Sequence, residues 1–195
     1  MKFINLAKGF FKDNPNPKRI NSDHGTLFSA IAIIISENNH GEDEMFFIKR
    51  ASRENDHFSG HMAFPGGVKE EYDKDFLDTA IRETQEEVGI DLNKDAEFLG
   101  CFDDYRPVNP SANKFLVSPH VFHLNNIEVE LKLNPYEVED TVWIPLKILK
   151  EMSQNSARET FKYNKKYNDY VFEYNGYKIW GMTGKILYYF LNNIK

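Results

Sequence analysis

The sequence predicts a single α/β domain, and three observations support this. Its 195 residues are enough for one domain with a substantial hydrophobic core. Hydrophobic residues make up 41% and charged residues 28%, which is the balance of an ordinary globular protein. Segments with strand features are interspersed with segments with helix features, without an internal repeat or a low-complexity region.

Residues 1–26 are predicted to form an N-terminal extension, and residues 27–195 the domain itself. A short amphipathic start is followed by Pro15 and Pro17, which indicate an irregular stretch. Lys8 and Gly9 interrupt the apolar residues of this start, so we expect no signal peptide. No run reaches the roughly 18 apolar residues of a membrane span, and we expect no membrane association.

The first strands are predicted from short apolar runs. Residues 27–35 are continuous, apolar and rich in isoleucine, which is typical of a buried strand. A polar turn at residues 37–44 precedes a predicted return strand at residues 45–49. Residues 51–68 contain glycines and a proline with mixed polarity, and we expect them to be mostly loop.

A helix is predicted at residues 75–88. Asp75 is a good N-cap, and Asp78 three residues later makes a variant of the capping box. Gly89 is placed to end the helix in a left-handed conformation.

The remaining elements follow from the same patterns. Asn175-Gly176 is a typical two-residue turn and predicts a hairpin. The predicted elements are strands at 98–102, 115–124 and 127–133, a helix at 146–152, hairpin strands at 170–174 and 178–180, and a final amphipathic helix at 183–191.

Three glutamates are predicted to lie on one face of the 75–88 helix. Glu86 and Glu87 follow Glu83 by three and four residues. Like charges at either spacing cost a helix about 0.2–0.5 kcal/mol per pair. Arg82 can pair with Asp78 or Glu86 but cannot neutralise the whole cluster. A divalent cation would turn this repulsion into affinity, and ligands that are all oxygens favour Mg²⁺ or Mn²⁺ over zinc.

The alternative is an acidic helix face that is simply solvated. The neighbouring sequence favours a site instead, because an apolar-Pro-Gly-Gly turn, residues 64–67, lies upstream and the glycine stop, residues 89–90, lies downstream.

Residues 67–90 resemble the Nudix box, Gly-x5-Glu-x7-Arg-Glu-U-x-Glu-Glu-x-Gly-U, where U is aliphatic. Residues 82–90 match every fixed position except that Thr84 stands where an aliphatic residue is usual. The first half departs from the pattern, since Asp73 replaces the glutamate and the gap to Arg82 is one residue longer.

The longer box is similar to that of the coenzyme A diphosphatase subgroup. That subgroup also has a pattern of basic residues and glycine before Phe-Pro-Gly-Gly, which Arg50, Arg53 and Gly60 resemble here. Asp56 stands where the second arginine of that pattern is expected. The segments 137–146 and 179–183 also look like this subgroup, so the resemblance covers roughly residues 27–191.

The resemblance implies a Nudix α/β/α sandwich with a mixed sheet between helices, and a metal site on the helix. Glu83 and Glu87 would be the principal ligands of Mg²⁺ or Mn²⁺, with Glu86 as a ligand or a base. The Gly66 carbonyl would complete the metal shell, and Arg82 would orient the carboxylates. A carboxylate outside the helix often serves as a base or extra ligand, and the candidates are Glu137 and Glu139.

Arg50 and Arg53 are expected to hold the phosphates of the substrate, and Gly66 and Gly67 to bring the backbone close to phosphate and metal. The alternatives are solvated arginines at a strand end and a plain tight turn. Further candidates for the substrate cleft are Tyr105, Arg106 and Pro107, and His57 and His61 are candidates for a phosphate contact, with plain surface histidines as the alternative. Trp143 and Trp180 are predicted to pack in the core, with base-stacking platforms as the alternative.

The resemblance implies a hydrolase that cuts a nucleotide diphosphate, with coenzyme A, cut to phosphopantetheine and 3′,5′-ADP, as the favoured substrate. ADP-ribose, or another nucleotide-sugar or dinucleotide, is the alternative substrate. A catalytically silent nucleotide-binding module is the alternative of another class, and the three intact glutamates argue against it. An RNA-end pyrophosphohydrolase, and nucleic-acid binding in general, are disfavoured by the net charge of −6.

The single cysteine, Cys101, excludes an intramolecular disulfide and a zinc cluster built from cysteines. Its apolar neighbours predict a buried, unreactive thiol. We therefore expect an intracellular, cytoplasmic protein. The oligomeric state stays open, with a homodimer as one alternative.

Overall fold

The computed structural model of the protein describes residues 2–54, 58–108, 112–162 and 165–195. Helices cover both faces of a central mixed sheet, which confirms the α/β/α sandwich. The elements in chain order are α1 (Phe3–Asp13), β1 (Leu27–Glu37), β2 (Asp43–Arg50), β3 (Met62–Ala63), β4 (Gly66–Val68), α2 (Phe76–Val88), α3 (Leu92–Asp95), β5 (Ala96–Cys101), β6 (Phe115–Leu124), β7 (Val138–Pro145), α4 (Leu146–Ser153), β8 (Ala157–Lys162), β9 (Lys165–Tyr170), β10 (Phe172–Tyr174), β11 (Tyr177–Ile179) and α5 (Gly181–Asn193).

The central sheet has seven strands, and its path β3-β2-β1-β6-β5 is extended by β4 beside β1 and β7 beside β2. β1 and β6 run parallel, and the other pairs are antiparallel. β1 and β2 pair only where Ile35–Glu37 meets Asp43–Met45, and then diverge. β4 takes the place beside the first half of β1, and β3 pairs with the end of β2. The loop from β3 to β4 therefore bridges the gap between the two diverging strands.

The core has two layers because side chains alternate along β1. Ile33 and Ile35 lie in the layer that α1, α4 and α5 cover. Ala30, Ala32 and Ile34 lie in the opposite layer, under α2 and α3. β1 is buried on both faces, which explains why its sequence is a continuous apolar run.

The N-terminal segment packs against this core. Ile4, Ala7 and Phe11 of α1 are buried in the first layer. Downstream of α1, the Arg19 guanidinium donates to Asp104 at 2.6 Å and to the Ser118 hydroxyl at 2.9 Å. The division at residue 26 stays a prediction, since packing does not test whether residues 27–195 fold alone.

The predicted features of α2 are confirmed. Asp75 accepts a hydrogen bond from the backbone of Asp78 at 2.9 Å, and Gly89 ends the helix with a φ of 78°. The Asp78 carboxylate reaches back to the backbone N–H of Lys74 at 3.2 Å, one residue before the N-cap. This contact is the variant of the capping box that the sequence indicates.

The strand predicted at residues 127–133 is wrong. The last carbonyls of a helix lack hydrogen-bond partners within it. Backbone N–H groups at the end of this segment and just after it donate to those carbonyls of α2. The backbone N–H of Lys132 donates to Val88 and that of Asn134 to Glu87, both at 2.9 Å. The short strands β3 and β4 lie within the predicted loop, and the sequence analysis missed β7 and the β8–β9 hairpin.

The other predicted strands and helices are confirmed within a few residues. The hairpin β10–β11 turns at Asn175 and Gly176, with φ values of 47° and 88°.

Cys101 is partly buried, and this burial raises the pKa of its thiol. Within the described residues, no helix is both long and apolar enough to cross a membrane.

Gly184 sets how closely α5 packs on β9. A Cβ atom at this position would lie 2.2 Å from the carbonyl oxygen of Tyr170, which is a backbone atom and cannot swing away. At Gly9 of α1, by contrast, an added Cβ meets nothing within 4 Å. The two helical glycines therefore make a matched pair.

We predict that Gly184→Ala lowers the free energy of unfolding by about 1–3 kcal/mol, the usual range for overpacking. Gly9→Ala should raise it by up to about 1 kcal/mol, because alanine is the better helix former. Urea unfolding of both variants measures this. A Gly184→Ala protein as stable as the wild type would contradict the close packing of α5 on β9.

Candidate active site

The loop at residues 64–67 lies against α2, and glycines make this approach possible. The backbone N–H of Gly66 donates to the Glu87 carboxylate at 2.9 Å. A Cβ on Gly67 would lie 2.4 Å from the carboxylate carbon of Glu83. A Cβ on Gly66 would lie 2.2 Å from the backbone oxygen of Ala30. A larger residue at Gly66 would have to move the backbone of β1, and one at Gly67 would displace the Glu83 carboxylate.

Three carboxylates converge beside this loop. Glu83 and Glu87 come from α2, and Glu137 immediately precedes β7. Each offers an oxygen, and these oxygens lie within 4.8 Å of one another. Glu87 is only 2% exposed, and Glu83 and Glu137 are half-buried. The structure thus adds a carboxylate 50 residues downstream in the chain to the two on the helix.

Burial dominates the electrostatics of the two carboxylates on α2, Glu83 and Glu87. Burial raises the pKa of Glu87 to about 8, and the charges of Glu83 and Glu137 act in the same direction. The hydrogen bond from Gly66 and the charge of Arg50 oppose this rise. Burial also raises the pKa of Glu83. A cation between the carboxylates would favour their charged forms and so oppose the rise in the pKa values of Glu83 and Glu87.

Glu86 and Glu139 lie apart from these three carboxylates. The Glu86 side chain is 52% exposed and accepts from Arg82 at 3.1 Å. The Glu139 side chain is exposed and pairs with Lys49 at 2.5 Å. Their predicted catalytic roles, and the predicted role of Glu86 as a metal ligand, stay predictions.

Arg82 is held by Asp73, the residue that departs from the usual box. The guanidinium donates twice to this carboxylate, with both N–O distances at 2.9 Å. Asp73 also accepts from the Thr79 hydroxyl and from the Glu70 backbone N–H, each at 2.9 Å. These bonds, with Arg82 first, hold the pKa of Asp73 well below its usual range. Another Arg82 nitrogen donates to Glu83 at 2.8 Å, so this network orients a carboxylate of the cluster.

A cleft of about 650 Å³ opens from the carboxylates. Among the described residues that line it, the cationic side chains are Arg50, Arg53 and Lys185. Arg53 also donates two hydrogen bonds to the backbone oxygen of Tyr136. The predicted substrate residues Gly66 and Gly67 line the cleft as well.

The other predicted cleft residues divide into three groups. His61, Tyr105 and Pro107 line the cleft. Arg106 points elsewhere and contacts Asp23 at 3.4 Å. His57 lies outside the described residues.

Sequence analysis missed the contribution of the last helix. Trp180, Thr183 and Lys185 line the cleft, although Trp180 was predicted to pack in the core. Trp180 is 39% exposed because it stands at the start of α5, on the cleft wall. The prediction is confirmed for Trp143 only in part, since its half-buried ring packs on Phe46 at a centroid distance of 4.9 Å. No periodic signal in the sequence marks the residue that precedes a helix as exposed.

Comparison with known protein families gives a match over most of this chain. The family model described as the NUDIX domain matches residues 26–163 of this chain. This match covers more than half of the chain and includes Glu83, Glu87 and Glu137.

Several curated proteins are similar. An uncharacterized protein of Schizosaccharomyces pombe is 42% identical over 106 residues, which are 52% of this chain and 32% of that protein. An uncharacterized Nudix hydrolase, NudL, of Photorhabdus laumondii is 29% identical and covers 89% of this chain and 87% of its own length. "Nudix hydrolase 15, mitochondrial" of Arabidopsis thaliana is 31% identical over 82% of this chain and 55% of its own. The chain thus spans a third to a half of some relatives.

Solved structures share the fold. A Nudix hydrolase from M. smegmatis has a TM-score of 0.51 at 12% identity, covering 64% of this chain and 74% of that one. A MutT/nudix family protein from Enterococcus faecalis has a TM-score of 0.50 at 14% identity, covering 89% and 61%. At these identities the likeness concerns the fold alone.

The Asp73–Arg82 pair generates a stability prediction. Asp73→Asn should lower the free energy of unfolding by about 1–3 kcal/mol at neutral pH, because the half-buried Arg82 loses its two-point contact with a buried carboxylate and keeps only Glu83 and Glu86 as charged partners. The pKa of Asp73 is depressed in the folded state, so the advantage of the wild type is fully present above the ordinary value of 3.8. It should shrink as the pH falls below that value, since the unfolded chain then binds the proton first.

Urea unfolding of both proteins between neutral pH and about pH 3 measures this difference. Lys74→Ala is the control, because it removes the exposed pair between Lys74, just before α2, and Asp78 in its first turn, and it should change stability by less than about 0.5 kcal/mol. Equal losses in the two variants would mean that the Asp73–Arg82 pair contributes no more than a surface ion pair.

Proposed function

Because the chain belongs to the Nudix hydrolase family, we propose that it hydrolyses a nucleotide diphosphate linkage with a divalent metal, and that coenzyme A is its substrate. The observation that carries the reaction class is the convergence of Glu83, Glu87 and Glu137 at one end of a cleft large enough for a nucleotide. A silent binding module would have no need of three buried or half-buried carboxylates held together at a cost in stability.

The donor set fits Mg²⁺ or Mn²⁺. All three side chains offer carboxylate oxygens, which hard divalent cations prefer. Glu87 is buried among acidic neighbours, so a bound cation would supply the charge that the protein provides only in part through Arg50. The Gly66 carbonyl stays a proposed additional ligand. Such a metal lowers the pKa of a bound water and neutralises the phosphates.

Other residues of the chain orient the carboxylates that would hold the metal. Gly66 orients Glu87 through its N–H, and Arg82 orients Glu83 while Asp73 holds Arg82 in place. The charge of Arg50 lowers the pKa of Glu87, and this proximity supports a role for Arg50 in binding the diphosphate.

Glu137 is our choice for the carboxylate outside the helix. It would serve as a further ligand or as the base that takes the proton of the attacking water. Glu139, the other candidate, is paired with Lys49, and Glu86 faces Arg82 at the surface.

Coenzyme A is proposed as the substrate from the sequence features that resemble the coenzyme A diphosphatase subgroup. These are the longer box and the approach through Arg50, Arg53 and Gly60 to Phe-Pro-Gly-Gly. Coenzyme A carries a 3′-phosphate in addition to its diphosphate. The cationic side chains of the cleft, Arg50, Arg53 and Lys185, complement this extra negative charge. ADP-ribose, the alternative substrate, lacks that phosphate.

Glutamine substitutions test the metal site. Glu83→Gln, Glu87→Gln and Glu137→Gln should each lower kcat by roughly two or more orders of magnitude, because each removes a charge that holds the metal or accepts the proton. Millimolar Mg²⁺ should raise the melting temperature of the wild type, because it binds only the folded state, and less so in the Glu83 and Glu87 variants. A normal Mg²⁺ shift in Glu137→Gln would assign Glu137 as the base.

Glu139→Gln is the matched control, two residues from Glu137 and outside the cluster. It should keep kcat within about threefold of the wild type, since a surface ion pair contributes little. Near-normal turnover in Glu83→Gln or Glu87→Gln at ordinary Mg²⁺ would remove the ligand assignment.

The substrate prediction compares coenzyme A with dephospho-coenzyme A. The wild type should cleave coenzyme A with a kcat/KM on the order of ten- to a hundredfold higher, the expected gain from one charge-assisted phosphate contact. Arg53→Ala should narrow this ratio. Arg50→Ala, nearer to Glu87, should lower kcat/KM for both substrates together.

Product analysis over coenzyme A, dephospho-coenzyme A and ADP-ribose measures these ratios. Equal rates with and without the 3′-phosphate, or a preference for ADP-ribose, would reject coenzyme A and leave the reaction class intact.

A further inference from the structure

Trp180 is an exposed aromatic side chain on the wall of the cleft. It is 39% exposed, although tryptophan in a protein of this size usually packs in the core. It immediately precedes α5 and makes no side-chain hydrogen bond that caps this helix. The ring is not part of the carboxylate cluster and does not cap α5, so neither role explains why it is exposed.

Two further rings extend this wall. The His61 ring lies 4.7 Å from that of Trp180, centroid to centroid, at an interplanar angle of 57°. The Phe58 ring lies 6.1 Å from that of His61 in an edge-on arrangement. All three residues line the cleft. We refer to Phe58, His61 and Trp180 as the aromatic wall.

The aromatic wall is connected to the phosphate end of the cleft through Arg50. The backbone N–H of Arg50 donates to the carbonyl of His61 at 3.0 Å. The charge of Arg50 in turn influences Glu87. A ligand whose phosphates reach Arg50 and the carboxylates thus lies in the same cleft as the aromatic wall.

We propose that Trp180 is the stacking platform for the nucleobase of the substrate, with His61 supporting its ring. The proposal rests on the nucleotide substrate of the proposed function. Stacking needs only a flat π-face on each partner, and a base would cover the part of the Trp180 ring that water now contacts. Trp180 is thereby a specificity-determining residue that binds the base and leaves the chemistry to the carboxylates.

A flexible arm, such as the pantetheine part of coenzyme A, is the competing occupant. We favour the base because the wall is made of rings and lines the same cleft as Arg50, so that a rigid, flat group with phosphates attached can use both.

Tryptophan fluorescence tests the contact directly, because the chain has two tryptophans. Trp143→Phe leaves Trp180 as the sole reporter, and Trp143 packs on Phe46 away from the cleft residues. Adenosine 3′,5′-bisphosphate has no diphosphate to cleave, so it can be titrated with Mg²⁺ present. We expect saturable quenching by this nucleotide and none by ribose 5-phosphate or phosphopantetheine.

Trp180→Phe, which retains only Trp143, is the optical control and should show no saturable quenching. Absence of quenching in the Trp143→Phe protein, or quenching by phosphopantetheine alone, would overturn the proposal.

Steady-state kinetics provide the second test. Trp180→Leu should raise KM for coenzyme A by roughly five- to a hundredfold, with kcat changed far less, and Trp180→Phe should restore most of the affinity. Unchanged melting temperatures show that both variants are folded. A KM like that of the wild type in Trp180→Leu, or a loss of kcat alone, would overturn the stacking role.

The two proposals can fail separately. Saturable quenching by the nucleotide in a protein that cleaves no diphosphate would reject the proposed function and support the stacking role. Normal cleavage of coenzyme A by the wild type, with an unchanged KM in Trp180→Leu, would support the proposed function and reject the stacking role.

Discussion

The contact between the 64–67 loop and α2 is the constraint on which the site depends. The Gly66 N–H holds Glu87 in a buried position, and Gly67 leaves room for the Glu83 carboxylate against the backbone. A buried carboxylate is stable only with partners, and here the nearest are one backbone amide and the charge of Arg50. The protein therefore keeps two acidic side chains close together, in a place where a cation relieves their repulsion.

The divergence of β1 and β2 makes this contact possible. Because the two strands pair at only one end, β3 and β4 enter the gap, and the loop between them reaches the helix from the sheet side. β7 then runs along β2 and places Glu137 next to the same opening. The geometry of the carboxylate cluster is thus a product of sheet topology, while the helix supplies only two of its three carboxylates.

Arg82 links the local sequence to this arrangement. Asp73 is one methylene shorter than the usual glutamate and stands one residue further from the arginine, yet it makes a two-point contact with Arg82. Arg82, held in this way, donates to Glu83, so the departure from the common box is compatible with an arginine that orients a carboxylate of the cluster.

The sequence by itself determined the helix of residues 76–88, its caps, and the identity of Glu83 and Glu87 as neighbours, because these depend on contacts within four residues. It also determined β1 and β6, whose apolar runs allow little but a buried strand. It failed at residues 127–133, where apolar and charged residues alternate as in a strand but the backbone donates to the end of α2, and at Trp180, which lines the cleft. Only the tertiary structure could select Glu137 over Glu139 or separate Glu86 from the cluster. That choice depends on which side of β7 and α2 faces the loop, and side-chain direction there is set by packing between segments far apart in the chain.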